Sequence, residues 1–302
     1  MREYSIQLQT ILYHSNVSSL VRSLDCIQQA VKLYAQHSGK RISMSVLYGD
    51  ASKKPLFSSS DVEKMAEKYE KEFSFSYHFF NINTGTAHGH NRLAGASHSD
   101  FIMIMNPDVV VNPRILFQLL QPFEDDSRKA GITEARQTPI EHHKSYDINT
   151  GKTSWASTAC VMILREAFEQ VGGFDEKSFF LYCDDVDFSW MVRLHGYEVI
   201  YCPNAVVFHD KKLSSTGHWI TTSAERYYSA EAALLMAYKW SHHNYLKAII
   251  ENFSHSADEN YQKAVSAFLA KKANGELPTP IDPDHAVASI NESGYGSYRY
   301  VL

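Results

Sequence analysis

The chain has 302 residues, enough for one large domain or two modest ones with a sizeable buried core. Its composition, 44% hydrophobic, 21% charged and 13% aromatic, is that of an ordinary globular protein. A net charge of -5 argues against non-specific binding to nucleic acid, because phosphate contacts need a basic surface.

Met1-Arg2-Glu3-Tyr4 leads straight into a strand-like run, Tyr4 to Tyr13, with no signal segment in view. Val17 to Tyr34 then places Leu20, Val21, Leu24, Ile27, Val31 and Tyr34 at helical spacing, with Ser15 or Asn16 as the cap. Ile42, Met44, Val46 and Tyr48 alternate as a strand. Ser60-Asp61-Val62-Glu63 has the pattern of a capping box opening a charged helix that runs to about Lys71. Phe73 to Phe80 is a strand, followed by a Gly- and His-containing turn and a short helix. The strand Phe101 to Met105 and a helix after Pro113 come next. The longest apolar runs, such as Phe101 to Met105, are far too short to span a bilayer. This strand–helix alternation calls for a mostly parallel, Rossmann-like α/β sheet with helices on both faces. Ligands of such sheets sit beyond the C-terminal ends of the strands. Those exits are polar here: Tyr13-His14-Ser15, Gly49-Asp50-Ala51-Ser52, Asn81 to Gly89, and Asn106-Pro107-Asp108.

From about Thr133 to Ser154 the chain is polar and irregular, and strand signals return over Trp155 to Leu164. Beyond Ser223 the pattern is helical, with Tyr227, Ala230, Leu234, Leu235, Ala237 and Tyr238 on one stripe. The tail from Pro278, rich in Pro, Gly, Ser and Asp, is expected to be loosely ordered. The expected division is 1–215 for the catalytic-type domain, 216–275 for a C-terminal helical region and 276–302 for the tail. Cys26, Cys160, Cys183 and Cys202 are scattered without metal spacing and read as reduced cysteines of a cytoplasmic protein.

The most informative stretch is Phe179 to Phe188, where Asp184, Asp185 and Asp187 crowd into four positions. Carboxylates this close repel, so a fold keeps them together only if something offsets the repulsion, such as a helix N-terminus. The alternative is a solvated acidic helix start.

Four segments together resemble the inverting family 2 glycosyltransferases of the GT-A fold, particularly the bacterial rhamnosyltransferase-like group. They are Asn83 to Arg92, Asn106 to Val111, Val171 to Phe188, and Gly196-Tyr197 leading to His209. The resemblance covers roughly residues 4–210, and the C-terminal third carries little of it. It implies that Asn83, Gly85, Gly89 and Asn91 form a turn around a sugar nucleotide, with the glycines letting the backbone approach the donor. Asp50 would contact the pyrimidine ring, although Gly-Asp-Ala-Ser is also simply a good turn. Asn106 and Asp108 match a variant of the DxD motif. Asp108, with His209, would hold Mg2+ or Mn2+ near the diphosphate. Asp185 would be the general base, Asp184 the preceding acidic position, and Asp187 a residue that caps or orients the helix. Met191 stands where the family carries Arg, with Arg193 two residues on. His14 replaces a common Asn, and Thr158 a common Gly. Trp155 could stack on an acceptor sugar or pack in the core, and His142, His143 and His218 could close over the donor or stay solvated.

The implied reaction moves a hexose or deoxyhexose from a UDP- or dTDP-sugar to a glycan or lipid-linked acceptor. The competing readings are an inactive sugar-nucleotide-binding or scaffolding module and a nucleotidylyltransferase. The latter wants a Gly-rich, Arg-containing loop where Tyr13-His14-Ser15-Asn16 stands, and no G-x-G-x-x-G follows any strand to suggest a dehydrogenase. The C-terminal helices could pack on the catalytic domain, pair subunits as a homodimer, or make a peripheral contact with the inner face of the plasma membrane.

Overall fold

The computed structural model describes residues 3–125, 127–141, 145–211, 213–215, 220–290 and 294–295. β1 (Glu3–Leu12), β2 (Arg41–Asp50), β3 (Ser74–Phe79) and β4 (Phe101–Met105) form a parallel half-sheet in the order β3-β2-β1-β4. The sheet continues through β8 (Cys160–Leu164), antiparallel to β4, then β6 (Ala130–Thr138) and β9 (Glu198–His209). Short strands β5 (Val109–Val111) and β7 (Lys152–Thr153) pair antiparallel with the two ends of β9. The expected parallel core is therefore present, extended by a mixed wing in which β8, β5 and β7 pair antiparallel while β6 and β9 run parallel to each other.

The central strands are buried on both faces, which selects apolar residues at successive positions. In β4, Phe101, Met103 and Met105 join the core under α1 (Val17–His37), α2 (Ser59–Tyr69) and α4 (Ile115–Leu120). Ile102 and Ile104 point the other way, into the core shared with α5 (Arg165–Val171) and α6 (Asp184–Leu194). β1 departs from this rule. Gln7 and Gln9 are fully buried beneath α3 (Gly85–Ala94), where Gln7 binds Arg165 and Leu93 O, and Gln9 faces His90.

Several boundaries differ from the sequence reading. The cap of α1 is Asn16, whose side chain accepts from Ser19 N. The box that opens α2 pairs Ser58 with Asp61, two positions earlier than the Ser60 and Glu63 pattern. The Gly- and His-containing segment is the helix α3 itself, not a turn preceding it. The stretch beginning at Thr133 is not irregular at first, since it is most of β6. Two of its buried polar side chains find partners across the sheet: Thr133 Oγ1 donates to Leu119 O, and Glu134 accepts from Ser157 N. Trp155 to Ala159 lies outside any strand, so only the second half of that expected strand forms.

α7 (Ser223–Lys239), α8 (His243–Ser254) and α9 (Glu259–Ala273) form a helical layer. This layer shares a core with Phe179, Val186 and Trp190 of the α6 region. The tail is more ordered than expected over its described part. Ile281 N donates to Lys239 O, Asp282 accepts from the backbone N–H of Ala286, Val287 and Ala288, and Val287 O accepts from Arg193. No described helix is long and apolar enough to cross a membrane.

Candidate active site

The acidic cluster is aimed by strained backbone. Tyr182 and Cys183 both have left-handed φ, 67° and 56°, immediately before α6. Each such non-glycine residue costs about 1–2 kcal/mol, so the turn persists only because its surroundings hold it. It places Asp184 and Asp185 in the first turn of α6, where free N–H groups and the helix dipole favour negative charge. Asp184 is 5% exposed and accepts a hydrogen bond from Thr86 Oγ1 at 2.6 Å. Burial, and then the charge of Asp185, push its pKa up to about 7 against the lowering effect of Thr86. Asp185 is only half-buried and accepts from Val186 N at 2.8 Å. Asp187 points away from this pair into the protein. It meets Lys239 Nζ at 2.8 Å and Trp240 Nε1 at 2.9 Å, and Lys239 also meets Asp175 Oδ2 at 2.8 Å. Asp187 therefore fastens α6 to α7 instead of capping its own helix.

A second pair forms where β4 gives way to β5. Antiparallel pairing sets Val109 opposite His209, and Asp210 N donates to Asp108 O at 2.9 Å. The result brings His209 Nε2 to 3.2 Å from Asp108 Oδ1. His209 Nδ1 lies 2.7 Å from Gln137 Oε1, a contact that holds the ring and leaves Nε2 directed at Asp108. Burial favours protonation of Asp108, but the hydrogen bond and charge of His209 prevail and hold its pKa below the usual carboxylate range. An ionised carboxylate and an imidazole nitrogen this close suit one divalent cation, and an outer-shell amide behind the histidine is the usual support. Among the described residues no three His, Cys, Asp or Glu side chains gather in such a geometry. A cation here would thus keep positions for substrate oxygens and water, as Mg2+ commonly does. Asn106 joins this edge, its N–H donating to Ala159 O at 3.0 Å.

One cleft of about 300 Å³ collects Asn106, Asp108, His209, Asp184 and Asp185. Two residues that the sequence reading passed over also line it. Thr86 lay inside the quoted Asn83 to Arg92 segment and holds Asp184. Lys211 is the only Lys or Arg among the described residues of the lining, against Asp108, Asp184, Asp185 and Glu225. Its position two residues beyond His209 was the available signal. Thr158, the departure from a common Gly, lines the same cleft.

The remaining expected donor contacts lie outside this lining. Asp50 is 0% exposed, and its carboxylate accepts from Ser52 N and Leu56 N, both at 2.9 Å, and from the Tyr77 hydroxyl. It organises the loop after β2. Asn83 is exposed and accepts from Gly85 N at 3.2 Å. A Cβ on Gly85, whose φ is +64°, would lie 2.1 Å from Phe180 O; on Gly89 it would lie 2.8 Å from Ile11 Cδ1. Close packing within the protein therefore accounts for both glycines. Asn91 exchanges hydrogen bonds with the backbone of Phe174 and donates to Glu176, latching α3 to the loop before the acidic cluster. His14, with φ 52°, donates its N–H to Ser52 Oγ. Arg193 donates to Ser154 O and Val287 O, away from the acid pair. Trp155 is 2% exposed and belongs to the core, reaching this cleft only as part of its wall. The loop histidines His142, His143 and His218 lie outside the described residues.

No protein-family model matches the chain. Among solved structures, the mannosyltransferase PcManGT from Pyrobaculum calidifontis, in complex with GDP-Man and Mn2+, matches with a TM-score of 0.56. Its identity is 16% over 89% of this chain and 75% of that one. GalNAc-T7 with UDP, GalNAc and Mn2+ matches with a TM-score of 0.62 at 11% identity, over 92% of this chain and 56% of that one. This is a GT-A glycosyltransferase fold. In sequence, an N-acetylglucosaminyl-diphospho-decaprenol L-rhamnosyltransferase of Mycobacterium tuberculosis (strain ATCC 25618 / H37Rv) is 43% identical over 61 residues, 20% of each chain. Rhamnosyltransferase WbbL of Escherichia coli (strain K12) is 23% identical over 169 residues, 45% of this chain and 64% of that one. The matched part thus spans a fifth of the first relative and less than two thirds of the second. The chain is rhamnosyltransferase-like in sequence and GT-A in fold.

Proposed function

We propose that the protein is an inverting glycosyltransferase that moves a hexose or deoxyhexose from a UDP- or dTDP-sugar to a glycan or lipid-linked saccharide. The observation that carries this reading is the meeting of two unlike carboxylate sites in one cleft: the Asp184–Asp185 pair and the Asp108–His209 pair. A divalent cation, Mg2+ or Mn2+, held by Asp108 and His209 would offset the charge that builds on the departing diphosphate. The two Mn2+-bound structural neighbours support that assignment. Lys211 adds a fixed positive charge on the same side.

Asp185 is the base. It is the more exposed of the acid pair and takes the proton from the acceptor hydroxyl. That oxygen attacks the anomeric carbon, the bond from this carbon to the diphosphate breaks, and the nucleoside diphosphate leaves with the electron pair. Asp184, raised to about 7 by burial and then by the charge of Asp185, carries its proton part of the time near neutrality, which lessens its repulsion of Asp185. Asp50, Asn83, Gly85, Gly89 and Asn91 act on the donor through the loops they pack and tie. The relative named for an N-acetylglucosaminyl-diphospho-decaprenol acceptor supports the lipid-linked saccharide class.

Asp185→Asn tests the assignment. Release of nucleoside diphosphate from the matching sugar nucleotide should fall at least about 100-fold, the lower range for loss of a general base. Donor affinity should stay within about threefold, since the carboxylate is replaced by an isostere. Turnover at the parent rate in this variant would remove Asp185 from the role.

A further inference from the structure

A second cleft of about 500 Å³ adjoins the first, and the two share Trp155 and Tyr295 as a common wall. The rings of that wall meet edge to face, with centroids 5.4 Å apart at 89°. The buried Trp155 thereby fixes Tyr295 at the junction. Further along, Tyr146, 40% exposed, packs on Tyr201 at 4.8 Å. Ser145, Thr153, Ser154, Tyr197 and Ser289 also line it, and Val199 is the only aliphatic residue among the described ones.

The charges of the two clefts differ. The first is acidic, as a metal and diphosphate site requires. In the second, every charged side chain among the described residues already has protein partners. Lys152 pairs with Glu198, which also holds Arg128 at 3.0 Å. Asp147 accepts from Asn149 N, Thr150 N and the Thr150 hydroxyl, and Arg193 donates to two carbonyl groups. A phosphate or carboxylate entering this cleft would meet Asp147 and Glu198 as well as Lys152 and Arg193, so the described residues offer it no excess of cations. A lipid tail would find almost no aliphatic wall among the described residues. A ligand rich in hydroxyls, with flat apolar patches for the aromatic rings, meets neither obstacle.

We infer that this cleft is a subsite for a neutral saccharide, the portion of the acceptor that lies beyond the sugar receiving the transfer. The acceptor half of this statement rests on the glycosyltransferase reading; the saccharide site itself does not. It predicts an acceptor of more than one sugar, with its neutral residues past Tyr295 and any diphosphate or lipid outside this cleft.

Saturation-transfer NMR on the full chain, with N,N′-diacetylchitobiose and maltotriose as neutral probes and a hyaluronan tetrasaccharide as the anionic one, tests it. A neutral probe should bind, Tyr146→Ala should weaken it about tenfold, and Ser289→Trp should block it by filling the cleft. Calorimetric UDP or dTDP binding should be unchanged in both variants. The inference is overturned if no neutral probe binds at millimolar concentration. It is equally overturned if both variants bind the probes as the parent does, or if the anionic probe binds more tightly. If no nucleotide binds while saccharide binding responds to the two variants, the saccharide subsite stands and the transferase reading falls.

Discussion

Lys239→Met removes the cation that pairs with Asp187 of α6 in the protein interior. Lys239 is 7% exposed and Asp187 1% exposed, and Nζ lies 2.8 Å from carboxylate oxygens of both Asp187 and Asp175. Burial opposes the charge on Lys239, but its two carboxylate partners prevail and raise its pKa. Asp187 is raised by burial even with that cation beside it. Without Lys239 the Asp187 carboxylate keeps Trp240 Nε1–H and loses its counter-ion. Removing one partner of a buried ion pair costs about 3–5 kcal/mol, a large share of the 5–15 kcal/mol typical of a folded domain. The loss must depend on pH. The folded-state pKa of Asp187 lies above its unfolded value and rises further in the variant, so a proton can neutralise the orphaned group at low pH. Stability of the variant relative to the parent should therefore fall as pH rises, and Lys239→Met should be less impaired at pH 5 than at pH 8. Adding Asp187→Asn should recover most of the loss. Urea unfolding followed by the fluorescence of Trp190 and Trp240, which pack at 5.1 Å beside the pair, reads this directly. A loss under about 1 kcal/mol at pH 8, or an equal loss at both pH values, would refute the charge-pairing argument.

Two further outcomes concern the start of α6 and the α3 residues packed beside it. Asp184 has a folded-state pKa of about 7, above its unfolded value, so the folded protein holds an extra proton from about pH 4 to 7. Its contribution makes stability fall as pH rises through that window and level off above it. Asp184→Asn should lose this dependence and gain most over the parent at pH 8, and parallel pH profiles of the unfolding midpoint would contradict it. Gly85→Ala forces a Cβ to 2.1 Å from Phe180 O in a left-handed residue. It should destabilise by about 2–4 kcal/mol and disturb the Thr86–Asp184 bond, and an unchanged urea midpoint would exclude so close a contact.

The parallel half of the fold, and the residues that meet in the candidate site, were legible for physical reasons. Phe101 to Met105 is apolar at every position because both faces of β4 are covered, and Asp108 follows as the first carboxylate beyond that strand. β6 was not legible. Thr133, Glu134 and Gln137 look like loop residues, and the partners that satisfy Thr133 and Glu134 come from α4 and the segment before β8. Lys239 was equally hidden, since a lysine at a helix end reads as solvated or as favouring the helix dipole until Asp175 and Asp187 are brought to it. The close packing of the α3 glycines on Phe180 and Ile11 was likewise hidden. Loops close such contacts over long sequence separations, and local pattern carries no trace of them.

The central claim is that this cleft binds a nucleotide diphosphate through a cation held by Asp108 and His209. Calorimetry with UDP, dTDP, GDP, CDP and NAD, with and without Mn2+, for the parent and for Asp108→Ala tests it most directly. The account predicts binding of UDP or dTDP that Mn2+ strengthens at least about tenfold in the parent, an enhancement that Asp108→Ala abolishes. Binding of no nucleotide under any condition, or an enhancement by Mn2+ that survives Asp108→Ala, would contradict it.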